Sequence, residues 1–76
     1  MVQENIRLST VTRVQEFTDA MREFDFEVDL SSGRYVINGK SIMGILSLDL
    51  AHPIQVTAQV PEHKKERFLE VIRSFA

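Results

Sequence analysis

Seventy-six residues, a formal charge of −2 and no cysteine bound the chain to one small domain with a thin core and no disulfide or thiolate-metal chemistry. Acids and bases are interspersed, so no basic face recommends a nucleic-acid partner. No apolar run approaches a signal peptide or a membrane span in length. The expectation is a soluble, cytoplasmic, single-domain protein over residues 1–76.

In chain order, "VQENIRL" places Val2, Ile6 and Leu8 on one side and Gln3, Asn5 and Arg7 on the other, predicting a first strand. "TVTRVQEFTDAMREF" follows with Val11, Val14, Phe17 and Met21 at helical spacing. Ser9, Thr10 or Thr12 can cap its start, and Thr12 with Gln15 forms a weak capping box. "FDFEVDL" alternates again, with Phe24, Phe26, Val28 and Leu30 facing one way and Asp25, Glu27 and Asp29 the other. "SSG" at 31–33 reads as a turn. It leads into "RYVIN", where Tyr35 and Ile37 form the expected inward pair.

"GKSIMGILSLDL" is too apolar for an amphipathic helix, and Gly44 argues against an undisturbed strand. A short helix that begins at Ser41 and is interrupted near Gly44 is expected. "PIQVTAQV" then alternates Ile54, Val56, Ala58 and Val60 against Gln55, Thr57 and Gln59. In "PEHKKERFLEVIRSFA", Pro61 suits the first helical position and Glu62 the positive end of the dipole. Phe68, Leu69, Ile72 and Phe75 form its buried stripe. Four half-wet strands with helices on one face predict an α+β open-faced sandwich with an antiparallel sheet, in the order β-α-β-β-α-β-α.

Ser41 carries two readings. As a helix cap it accepts a bond from a free backbone N–H. As a phosphorylation site it would bring about −1.5 to −2 charges to a helix N-terminus, where the dipole favours an anion and Lys40 supplies a nearby cation. The apolar residues after Ser41 exceed what one short helix can bury. With Ile45 and Leu48 as the inward pair, Ile42, Met43 and Leu46 lie nearer the outside, as a partner-docking patch would.

The run Lys40-Ser41-Ile42-Met43-Gly44, followed by Ser47-Leu48, resembles the central segment of HPr, the phosphocarrier family of the bacterial sugar phosphotransferase system. The resemblance implies the same open-faced fold. It also implies that Ser41 matches a regulatory serine phosphorylated by HPr kinase/phosphorylase, and that Lys40, Ile42, Met43 and Leu46 lie at the family's docking patch. In that family a histidine at the start of the first helix carries the phosphoryl group, and an arginine two residues on helps to hold it. Counted back from Ser41, those positions fall on Thr10 and Thr12; shifted by one residue they fall on Val11 and Arg13. Neither register holds a histidine, and none occurs before His52. Threonine has no ring nitrogen titrating near neutrality, and its phosphate is an ordinary ester rather than a labile phosphoimidazole.

His52 and His63 read as surface histidines and are not spaced as a metal pair. The Asp25, Glu27, Asp29 face reads as a solvated strand face rather than a carboxylate site. No Gly-rich phosphate loop, nucleophile elbow or zinc signature calls for a cofactor. The resemblance points to a non-enzymatic regulatory protein in carbon catabolite control, close to a histidine-lacking branch of the family that keeps the arginine. Its expected partners are the kinase and a regulatory or phosphotransferase-system protein. A phosphocarrier with an unusual acceptor, and a binding domain without phosphorylation, stand as alternatives.

Overall fold

The computed structural model describes residues 1–76. Its strands are β1 (Val2–Ile6), β2 (Val28–Ser32), β3 (Tyr35–Asn38) and β4 (Ile54–Ala58). Its helices are α1 (Val11–Met21), α2 (Ile42–Leu46) and α3 (Lys65–Arg73), with a 3₁₀ turn over Glu62–Lys64 leading into α3. The sheet is antiparallel in the order β1-β4-β2-β3. This is the expected α+β open-faced sandwich.

Strand alternation decides which face is covered. Ile54, Val56 and Ala58 stand opposite Ile6, Glu4 and Val2 on one side, and Val56 and Ala58 meet Leu30 and Val28 on the other. All of these but Glu4 are buried beneath the helices, with Val14, Phe17 and Met21 of α1 and Phe68 and Ile72 of α3. The opposite face carries Gln3, Asn5, Gln55, Asp29 and Asn38, all exposed. Glu4 was passed over by the alternation pattern. It points to the covered side of edge strand β1, where Arg73 Nε donates to its carboxylate at 3.2 Å. A charge turned inward on an edge strand discourages pairing with another chain.

Several expectations shift in detail. Residues 24–27 are not part of a strand, because β4 ends opposite Val28 and leaves them no partner. Phe24 and Phe26 instead meet Phe68, at ring-centroid distances of 5.1 and 5.3 Å. Tyr35 shares the inward face with Ile37 but is 67% exposed, since the helical cover stops short of that corner. Val11 is likewise 55% exposed, at the first position of α1. Val60 lies past the end of β4 and is half-buried. Pro61 precedes the 3₁₀ turn rather than opening α3, and Phe75 is buried although α3 ends at Arg73. The β2–β3 turn falls on Gly33 and Arg34, with Ser31 and Ser32 inside β2. Gly33 has φ +61°, which places a glycine where a two-residue hairpin needs a positive φ.

Candidate functional site

α2 is built around its cap. Ser41 has extended backbone geometry, and its Oγ accepts from the Gly44 N–H at 3.1 Å. The helix runs through Gly44 to Leu46 without the expected interruption. Gly44 has a packing reason to be there: a Cβ on it would stand 3.1 Å from Ser41 Oγ and 3.5 Å from Ile37 Cβ. The hydroxyl and the helix backbone are thus in close contact, and Ser41 itself is only half-buried.

The apolar residues of this segment divide as expected at the inward pair, with Ile45 fully buried and Leu48 nearly so. Met43 is 78% exposed and Leu46 38%. Ile42 is more enclosed than the sequence suggested: it is half-buried and packs against the core. α1 packs against α2, so both helices lie on the covered side of the sheet. Sequence reasoning missed Val11 as an exposed apolar residue. Its signal was the position directly after a capping threonine, beyond the reach of the sheet.

Lys40 does not extend into solvent. Its Nζ donates to the carbonyl of Phe24, just past the end of α1. Its backbone N–H donates to Asn38 Oδ1 at 2.8 Å.

At the start of α1, Thr10 is the N-cap, and its Oγ1 accepts from the Arg13 N–H at 3.1 Å. Thr12 is the second helical residue and forms no capping box. Arg13 is committed internally. Its guanidinium donates to the Ser74 carbonyl at 3.0 Å, lies 4.4 Å from the centroid of the Phe75 ring and pairs with Glu16 at 3.4 Å. The Arg7 N–H donates to the Phe75 carbonyl at 2.8 Å and ties β1 to the same end of the chain.

The histidines lie elsewhere. His52 Nε2 stands 3.5 Å from Asp49 Oδ2, both well exposed, beside an open groove lined by Arg34, Tyr35 and Ser47. His63 is exposed in the 3₁₀ turn. No group of three histidines or carboxylates stands together as metal ligands would.

The acidic residues read as one face in the sequence are also separated. Asp29 lies on the open sheet face, while Asp25 pairs with Lys64 at 3.0 Å. That hydrogen bond, more than any other influence, holds the Asp25 carboxyl below the usual carboxylate range. Arg67 binds Glu23 through two hydrogen bonds, at 2.8 and 2.9 Å, and Glu70 at 2.9 Å. The Arg67 hydrogen bonds lower the Glu23 pKa and raise that of Arg67. These pairs join the residues just past α1 to the 3₁₀ turn and to α3.

Comparison with known proteins agrees with this geometry. A family profile described as "PTS HPr component phosphorylation site" matches residues 12–76. Among solved structures, HPr-C-His from Thermoanaerobacter tengcongensis superposes with a TM-score of 0.75 at 20% identity, covering 97% of this chain and 93% of that one. The phosphocarrier protein HPr from Bacillus anthracis str. Ames gives a TM-score of 0.70 at 25% identity, covering 99% and 95%. No curated protein matches the chain.

Proposed function

The chain belongs to the HPr family of the phosphotransferase system, and on that footing we propose that residues 1–76 act as one regulatory, partner-docking unit marked by phosphorylation on Ser41. Proteins of this family are carriers rather than catalysts. Ordinary phosphocarriage lacks its usual acceptor, since no histidine precedes His52. The cap position of α1 holds Thr10, whose hydroxyl already accepts a helix N–H. A phosphate on threonine would be an ester without the transfer potential of a phosphoimidazole, and threonine offers no neutral ring nitrogen as nucleophile.

The observation that carries the reading is the exposure of Met43, 78% solvent-accessible two residues beyond a half-buried capping serine. Exposed methionine on a small domain costs solubility and supplies an adaptable contact. Leu46 extends the patch, and Ile42 forms its inner margin. A phosphate on Ser41 would set about −1.5 to −2 charges beside these apolar contacts, so one modification changes what a partner meets. The enzyme that places it is an HPr kinase/phosphorylase. The reader of the mark is a cytoplasmic regulatory or phosphotransferase-system protein in carbon catabolite control.

Intact-mass spectrometry after two separate incubations tests the proposal. HPr kinase/phosphorylase with ATP is expected to add one phosphate that a Ser41→Ala variant does not accept. Enzyme I with phosphoenolpyruvate is expected to add none. An acid-labile phosphate from enzyme I would overturn the reading and direct attention to His52 and His63. No added mass from either enzyme would reduce Ser41 to a cap and leave a binding domain without phosphorylation.

A further inference from the structure

We infer that Lys40 is a positioning residue for Ser41, an internal tether rather than a cation that meets the partner. Its functional consequence rests on the Ser41 reading above; its geometry rests on the hydrogen bonds of residues 38–41 and on the end of α1.

The turn that presents Ser41 is fastened on its inner side by backbone groups and by Asn38 Oδ1, which accepts from the Lys40 N–H at 2.8 Å. The Gly39 N–H donates to the Val28 carbonyl at 2.7 Å, and the Ser41 N–H to the Asn38 carbonyl at 3.1 Å. The Val28 contact demands glycine, since a Cβ at Gly39 would lie 3.0 Å from that carbonyl. All of these bonds tie the turn to β2 or to itself. Beyond the turn, α2 is held through Ile45 in the core, which leaves residues 39–41 without a backbone tie toward α1. The Lys40 side chain supplies a tie in another direction, to a carbonyl sixteen residues earlier in the chain.

That carbonyl is a good acceptor for a cation. α1 has no basic residue in its last turn, and Arg22 at its C-cap reaches back to Asp19 at 3.3 Å. The Phe24 N–H closes the final turn onto Met21, while its own carbonyl points outward to Lys40. An ammonium here makes a charge-assisted hydrogen bond to a carbonyl just past the end of the helix. The carboxylate of Asp25 adds a weaker attraction, subordinate to its pairing with Lys64. Phe24 is itself fixed, buried against the Phe68 ring. Lys40 therefore links the residue just before the cap to a rigid aromatic cluster. Loss of that link would let Ser41 and its helix N-terminus sample other positions relative to α1. A modifying enzyme that recognises the folded segment would then have to bear the cost of ordering it.

Amide hydrogen exchange on the free protein, with no kinase present, tests the tether. In a Lys40→Met variant the Ser41 and Gly44 amides are expected to exchange about tenfold faster, while β4 amides keep their wild-type rates. A Lys40→Arg variant, which keeps a donor cation, is expected to stay within about twofold of wild type. Unchanged Ser41 and Gly44 exchange in the methionine variant would overturn the inference. So would acceleration in step with β4, since that is global loosening. With kinase and ATP, the methionine variant is expected to take phosphate less efficiently and the arginine variant to recover. If wild type takes no phosphate, the Ser41 reading fails while the exchange result still decides the tether.

Discussion

Single residues at the Ser41 segment do two jobs that can be pulled apart. The hydroxyl satisfies one helix N–H at 3.1 Å, and a capping serine replaced by alanine costs about 1 kcal/mol. Ser41→Ala should therefore lower stability by about that amount in a urea titration. Ser41→Asp, which can also cap, should stay near wild type. An unchanged midpoint in the alanine variant would show that the contact is stabilising nothing. Most of this was legible in the sequence, because a serine before an apolar run is a cap signal. Lys40 was not. Periodicity places a side chain on a face but does not reveal a carbonyl sixteen residues away. Arg13 escaped for the same reason: its partners at Ser74 and Phe75 come from the far end of the chain.

Elements were recognised where one face is buried and misjudged where cover ends. The stripe of α1 held at Val14, Phe17 and Met21 and failed at Val11. The alternation of 24–30 marked burial correctly, yet only Val28 onward found a strand opposite it. Hydrogen-bond partners, unlike apolar rhythm, are not written locally. Between α1 and α3, the Glu23–Arg67–Glu70 cluster makes a pH-dependent connection. Glu23 has its folded pKa lowered, chiefly by the hydrogen bond from Arg67. A lowered folded pKa means that the unfolded chain binds the proton more readily, so this contribution is present at neutral pH. It is lost as the pH falls from about 4.5 through the folded value. A Glu23→Gln variant should accordingly show a shallower acid limb than wild type when stability is followed downward from pH 6. Identical acid limbs would show that the exposed pair is screened to nothing.

At the scale of the molecule, stability is concentrated in few side chains. Phe68 is fully buried and meets both Phe24 and Phe26. Truncating a buried phenylalanine to alanine costs about 3–5 kcal/mol, which compares with roughly 5 kcal/mol or a little more for a domain of this length. Phe68→Ala should be largely unfolded at 37 °C by circular dichroism; a cooperative transition close to wild type would show that the core can collapse around the gap. The sheet order has a separate consequence, for the chain during its synthesis. β1 borders only β4, and β4 stands between β1 and β2. Until Ile54–Ala58 has left the ribosome, the first strand has nothing to pair with, and β2 with β3 is a lone hairpin of marginal stability. The nascent polypeptide must therefore travel most of its length with Ile6, Leu8 and Phe17 uncovered, open to chaperones and proteases, before one late strand closes the sheet.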